Sequence, residues 1–436
     1  MMQFARKLIG IFAIACLAWL SCMPMAGAFC GFYVAKADAN LFNRASQVII
    51  AREGNRTILT MANDYRGDVQ EFALVVPVPV VIKKEQVRVG NSRIINRLDA
   101  FTAPRLVEYF DPDPCAPIVL MERTMSAPMA ASRSKEDRAS SLGVTIEEKF
   151  TVGEYDILIL SAKESAGLEI WLRENGYKIP VGAREVLRPY IRDNMKFFVA
   201  KVNLQELAKS DSQFLRPLLI AYESPKFMLP IRLGMLNANG DQDLIVYLLS
   251  PTGRAELTNY RTVKIPTDTN LPLFIKQEFA EFYKAMFQTV HQREGRNVAF
   301  VEYAWDMASC DPCAAEPLTP QELKEAGVFW DTNRVFVTRL HLRYNRQTFP
   351  EDLRFRATRN QELFQGRYVL NHPFPGEITC QEKSNYEKMV RRRQEEEIKN
   401  LVRLTNWNID EVRRKALLTQ YKPVNNDRPF WERIWK

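Results

Sequence analysis

A chain of 436 residues has room for two to four domains, and 46% apolar with 26% charged residues is globular rather than disordered composition. The formal charge of +8 is scattered, with no basic stripe interleaved with aromatics, which argues against a nucleic-acid partner. Beyond the N-terminal segment the longest uncharged apolar run, FALVVPVPVVI at 72–82, is too short to span a bilayer and carries two prolines.

The N-terminus reads as an export signal. Arg6 and Lys7 precede the apolar stretch LIGIFAIACLAWLSC, then Pro24, then the small-x-small pattern Ala26-Gly27-Ala28. Cleavage before Phe29 is preferred over two alternatives, retention as a membrane anchor and lipidation at Cys22. Ala-Gly-Ala supplies the cleavage pattern, and Trp19 stands where lipidation sites usually carry Leu. The mature protein is then expected in the periplasm or outside the cell, at a charge of +6 and with no transmembrane segment.

Residues 46–62 alternate as two strands around a turn at Glu53-Gly54-Asn55. In 72–82, Pro77 and Pro79 lie two apart, so both missing N–H groups fall on one side, which predicts a sheet-edge strand. Residues 92–110 read as helical, with Pro104 starting a second short helix. Residues 125–142 are small, polar and aperiodic and read as a loop. A hairpin around Val152-Gly153-Glu154 follows, then helices at 165–175 and 182–193. Strands are predicted near 195–203, 216–223, 227–235, 243–249 and 258–264. NANGDQD at 237–243 superficially matches a calcium loop, but it lacks the closing glutamate and fits a hairpin turn on Asn239-Gly240 better.

Residues 273–293 give the clearest helix, with Ile275, Phe279, Phe282, Met286 and Val290 on one face, a pattern that marks core rather than a ligand box. A strand at 297–304 runs into CDPC. Thr319-Pro320-Gln321-Glu322 is a capping box with Pro at the first helical position. Strands near 335–344, 352–357 and 366–370 precede a charged helical C-terminus from about 384, where RRRQEEE at 391–397 fits a solvated face. Strands with interspersed helices predict an α+β fold with mostly antiparallel sheet. The expected divisions are a signal peptide at 1–28, a β-rich domain at 29–270, and an α+β region at 271–436 holding the Cys-x-x-Cys loop and the C-terminal helices.

Outside the signal stand Cys30, Cys115, Cys310, Cys313 and Cys380. A thioredoxin-like site needs a helix after the cysteine pair, and Pro317 and Pro320 interrupt it. Covalent haem needs His directly after the second cysteine, and position 314 is Ala. A metal site of Cys310, Cys313, Cys380 and His372 is conceivable, but an oxidising compartment favours bridges, so no metal or cofactor is expected. The suggested pairs are Cys30 with Cys115, and Cys380 with Cys310 or Cys313, one thiol being left over. His341 sits in a probable strand and His291 at a helix end, neither with a ligand partner nearby in sequence. Asp111 with Asp113, and Glu302 with Asp306, are acidic pairs suited to acid–base work only if they face a cleft. No G-x-S-x-G, H-E-x-x-H or phosphate-cradling glycine loop occurs.

The phrases FCGFYVAKADANLFNRASQVIIAR, ALVVPVP, PRLVEYFDPDPC, FVEYAWDMASCDPC and FPEDLRFRATRNQELFQGRYVLNHP, in that order, form a series over most of the mature chain. The series resembles an uncharacterised family of exported bacterial proteins, domain of unknown function 2330. The resemblance implies bacterial export and a shared cysteine-bearing framework, and it brings no catalytic residue or ligand. Two functional expectations remain. The first is a disulfide-stapled envelope protein that binds or scaffolds an unidentified partner or ligand. The second is an extracytoplasmic hydrolase or thiol-dependent enzyme centred on Cys310, Cys313 and His372. N-terminal sequencing of the chain recovered from the periplasm should read from Phe29, and a start at Met1 or Met2 contradicts cleavage.

Overall fold

The computed structural model describes residues 32–35, 45–62, 72–116, 145–175, 182–209, 215–237, 240–309 and 315–419. The signal segment, the loop expected at 125–142, Asn239 of the expected turn, and Cys30, Cys310 and Cys313 lie outside the described residues.

In chain order the first elements are β1 (Phe32–Ala35), β2 (Ala45–Glu53), β3 (Arg56–Met61), β4 (Phe72–Val78), β5 (Val87–Val89), α1 (Ser92–Thr102) and β6 (Arg105–Phe110). There follow β7 (Thr145–Val152), β8 (Tyr155–Ser161), α2 (Ser165–Glu174), α3 (Ala183–Arg192), β9 (Lys196–Val202), α4 (Leu204–Lys209), β10 (Leu218–Glu223) and β11 (Met228–Leu229). The middle holds β12 (Gln242–Ser250), β13 (Ala255–Leu257), β14 (Arg261–Lys264), β15 (Thr269–Asn270), α5 (Phe279–Arg293) and β16 (Val298–Asp306). The chain closes with α6 (Pro320–Glu325), β17 (Phe336–Tyr344), β18 (Leu353–Ala357), β19 (Phe364–Gln365), β20 (Arg367–His372), α7 (Lys383–Thr405) and α8 (Ile409–Thr419).

The fold is α+β with mixed, mostly antiparallel sheets. A five-stranded antiparallel sheet runs β1-β4-β9-β8-β7, and a nine-stranded sheet runs β14-β16-β17-β12-β2-β3-β10-β5 with β19 beside β16. Two small sheets, β11-β18-β13 and the parallel β15-β20-β6, complete it. The expected boundary near residue 270 cuts through the nine-stranded sheet, where β12 pairs with β17.

Strand periodicity explains the layering. On β2, Val48 and Ile50 enter a core shared with Leu74, Val76, Ile157 and Phe198 of the five-stranded sheet. Ile49 and Ala51 face the other way, toward Ile94, Leu98 and Phe101 of α1. The outer face of the five-stranded sheet packs under Leu168 and Leu172 of α2 and Leu187 of α3. Central strands buried on both faces therefore read as nearly continuous apolar runs. The predicted aromatic stripe is core: Phe282, Met286 and Val290 of α5 are buried, and Leu401, Val412 and Ala416 of α7 and α8 join the same cluster.

The Glu53-Gly54-Asn55 turn stands, with Gly54 at φ 59° between β2 and β3. Thr319 caps α6 through the predicted box. Several expectations are corrected. β4 is not an edge strand, because β1 pairs along Phe72 to Val75 and stops short of Pro77, so the proline removes no bond from that ladder. The expected helix after Pro104 is the strand β6, recruited by parallel pairing with β20 from far along the chain. The strand expected at 227–235 shrinks to Met228–Leu229, since the N–H groups of Ile231 and Arg232 donate to the Asp352 carboxylate at 3.0 and 3.2 Å.

The suggested cysteine pairs are also corrected. Cys115 bonds to Cys380, with Cα atoms 5.8 Å apart and 265 residues between them, so neither Cys30–Cys115 nor a bridge from Cys380 to Cys310 or Cys313 forms. Parallel β6 and β20 end side by side at Phe110 and His372, which brings the two following loops together. Closing so long a loop restricts the unfolded chain, so replacing both cysteines by Ala should cost about 3–5 kcal/mol in urea denaturation. Cys115 and Cys380 should resist alkylation until reductant is added; free thiols at both positions contradict the bridge.

Candidate functional site

The carboxyl ends of β6 and β20 build a polar cluster beside a groove. Asp111 N donates to His372 O at 2.9 Å, continuing the ladder into the loop. The Asp111 carboxylate receives both terminal nitrogens of Arg393 at 2.8 and 2.9 Å and the Tyr386 hydroxyl at 2.7 Å. Burial pushes Asp111 up, but Arg393 and Tyr386 outweigh it and hold the carboxyl below its ordinary range. Tyr386 Oη in turn accepts from Phe374 N at 2.6 Å, which fixes the loop leading to Cys380. Cys115 N donates to Asp113 Oδ1 at 2.8 Å, a local Asx turn.

The groove, about 880 Å³, is lined by Pro114, Cys115, Cys380, Glu382, Tyr386 and Met389 among others. On the strand that precedes it, Tyr109 is 52% and Phe110 69% exposed, on opposite faces of β6, and Met389 of the lining is 38% exposed. Exposed aromatics at a strand end beside a groove are a stronger signal than scattered apolar residues.

His372 closes β20. Its Nε2 is 2.7 Å from Glu108 Oε2, its ring stacks on Phe110 at 4.4 Å, and Glu108 also accepts from Lys276 Nζ at 2.9 Å. The structure therefore brings His372 and Cys380 to the same end of the fold, whereas Cys310 and Cys313 are outside the described residues. Asp111 and Asp113 share this end but have separate partners, Arg393 and the Cys115 backbone.

The other acidic pair separates. Asp306 closes β16 and takes the Ala308 N–H at 2.8 Å. Glu302 lies at a β-bulge between Val301 and Tyr303 and is 1% exposed. Its Oε2 accepts from Arg339 Nε at 2.6 Å and its Oε1 meets His341 Nδ1 at 2.7 Å, with Tyr283 donating its hydroxyl to the same oxygen. Arg339 continues to Asp99 Oδ1 at 2.6 Å, where Tyr247 also donates at 2.6 Å. Burial pushes Glu302 up, but His341 and Arg339 outweigh it and hold it well below the carboxylate range; His341 is pushed down by burial and raised overall by Glu302. This network joins α1, α5, β12, β16 and β17 in the interior. His291 has a structural role too, its Nε2 lying 3.1 Å from Arg343 O.

The residues missed in the sequence are chiefly Arg393, Tyr386 and Glu397. RRRQEEE is a solvated face only in part: Arg392 and Glu396 are exposed, while Arg393 and Glu397 turn inward. The four-residue spacing was visible, but which pair faces inward depends on how α7 sits against β20.

The family model described as an uncharacterized protein conserved in bacteria, DUF2330, matches residues 24–356. The chain belongs to this family. No curated protein and no solved structure matches it. The DUF2330 match includes Asp111, Cys115 and the Glu302 network and ends before β19, so the last of the phrases quoted above runs past it. His372, Cys380, Tyr386 and Arg393 follow the matched region, and the candidate site is assembled from both parts.

Glu397 supplies a pH test. It is 3% exposed and is pushed up to about 7, by burial first, against the opposing pull of Arg393 at 3.7 Å. A carboxyl raised in the folded state keeps its proton after the unfolded chain has lost it. The folded form is therefore favoured at low pH and loses stability as pH rises from about 4.5 to about 7. Glu397→Gln should remove that fall, which is on the order of 3 kcal/mol between pH 4.5 and 8. Urea midpoints of both proteins across that range check it, and parallel curves contradict it.

Proposed function

We propose that this DUF2330 protein is an exported envelope protein that acts by binding, with the groove at the ends of β6 and β20 as its binding face. The occupant is an extended protein segment carrying apolar side chains and a basic residue. The observation that carries this reading is the exposed Tyr109–Phe110 pair on a terminal strand leading into the groove. β6 closes the β15-β20-β6 sheet, and among the described residues no strand lies along its outer edge. Such an edge offers unpaired backbone groups to an added strand.

Charge supports the choice of occupant. Glu108 and Asp111 already have cationic partners, whereas Glu382 lines the groove and Asp113 stands exposed beside it, so a basic side chain is complementary. The Cys115–Cys380 bridge supports export, since bridges persist in oxidising compartments, and the signal-like N-terminus agrees. Binding is favoured over catalysis because His372 is engaged with Glu108 and Phe110 in a charge-balanced surface cluster.

A fluorescein-labelled ten-residue peptide of alternating valine and lysine is the probe. Fluorescence anisotropy should show saturable binding that weakens about tenfold in Phe110→Ser and Met389→Ser. Ile170→Ser, which alters an exposed residue of α2, should leave it unchanged. Equal affinity in all four proteins would sink this reading.

A further inference from the structure

Three carboxylates and two guanidiniums surround His341. Glu302 comes from β16, Asp243 from β12 and Asp99 from α1, while Arg339 and Arg343 stand two residues to either side of His341 on β17. Arg339 reaches Glu302 and Asp99 at 2.6 Å each, and Arg343 Nε reaches Asp243 at 2.8 Å. With a neutral His341 these five groups leave one negative charge uncompensated, centred on a glutamate that is 1% exposed. An imidazolium brings the sum to zero. The exposed Asp241 also acts on Arg343 and adds to the negative side.

The ring itself faces a carboxylate at each nitrogen. Nδ1 lies 2.7 Å from Glu302 Oε1, a hydrogen bond, and Nε2 lies 3.4 Å from Asp243 Oδ1, an ion-pair distance. Nε2 is buried and has no hydrogen-bond partner among the described residues. A neutral imidazole bears a lone pair on one of its nitrogens, which here would be buried against an acid. The imidazolium instead presents an N–H to both. Glu302 accepts from Arg339, Tyr283 and His341 together, which suits its ionised form.

The groups that α5 brings are compatible with a cation at this place. Tyr283 donates to Glu302 and is pushed well up by burial, so it stays neutral. Phe287 stacks on the His341 ring at 3.9 Å. His291 stacks on Phe287 in turn, and burial pulls it below its ordinary range.

We infer that His341 is kept as an imidazolium at neutral pH and acts as a proton-operated latch that fastens α5 to the nine-stranded sheet. Burial pulls the proton off, and Glu302 and Asp243 outweigh it and hold the proton on. The unfolded chain releases this proton near pH 6.5, before the folded chain does. The stabilisation is therefore complete below that pH and is lost as pH rises through the folded midpoint, so the latch loosens in alkaline medium.

Histidine occurs three times in the chain, so isotope labelling of the ring nitrogens gives a short NMR spectrum, and His372→Gln removes one of the three rings. Of the two that remain, one should carry protons on both nitrogens at about pH 7. Asp243→Asn, at a side chain 31% exposed, should lower that ring's titration midpoint by about one pH unit. Urea midpoints give a second readout, in chains that carry Glu397→Gln so that this carboxyl adds no slope. From about pH 6.5 to 9 the urea midpoint should fall less in His341→Gln than with His341 in place. The ring signals decide the matter if His341→Gln fails to fold. Two neutral rings at about pH 7, an unmoved titration midpoint in Asp243→Asn, or parallel urea curves each overturn the inference.

Discussion

The interior of this protein is organised around one buried carboxylate. Glu302 is almost wholly removed from water, and an isolated charge there would be prohibitively unfavourable. It is held by Arg339, His341 and Tyr283, and Arg339 is itself held by Asp99. Those partners come from β17, α5 and α1, so the charge is satisfied only when helices on different parts of the sheet are seated together. The β-bulge at Glu302 adds to this, because a bulge re-aims the side chain relative to a regular strand. Such a network is weak grounds for high stability, since apolar replacements can be as good. Its consequence is register: a slip of β16 against β17 would leave Glu302 and Arg339 buried and unpaired.

A second constraint ties the region after the family match to the matched region. β20 places its end beside β6, Arg393 of α7 neutralises Asp111, and the Cys115–Cys380 bridge closes the same junction. Backbone pairing, an ion pair and a covalent bond thus converge within a few residues. The groove and the exposed Tyr109 and Phe110 lie at this junction, which is why the candidate site belongs to both parts. Glu397, one turn from Arg393, is buried with its ordinary charge opposed by its surroundings, and couples the junction to pH.

Local pattern was readable wherever the cause of structure was local. The Gly54 turn, the Thr319 capping box and the α5 stripe each depend on residues within a few positions, and each is found. Failures fall where a distant partner decides. Pro104 to Phe110 is compatible with either helix or strand until β20 arrives, and Ile231 leaves its strand because Asp352 takes its N–H. Asp111 and Glu302 were noticed as acids, but their cationic partners, Arg393 and Arg339, lie 282 and 37 residues further along the chain.

The sequence by itself determined the α+β class, the alternation that buries the central strands, and the family to which the chain belongs, because composition, periodicity and ordered phrases are properties of contiguous residues. Tertiary structure alone decided that Cys115 meets Cys380 and that Glu302 is a buried hub. Each of these depends on which distant segments the sheets bring within bonding distance, and no local spacing encodes that.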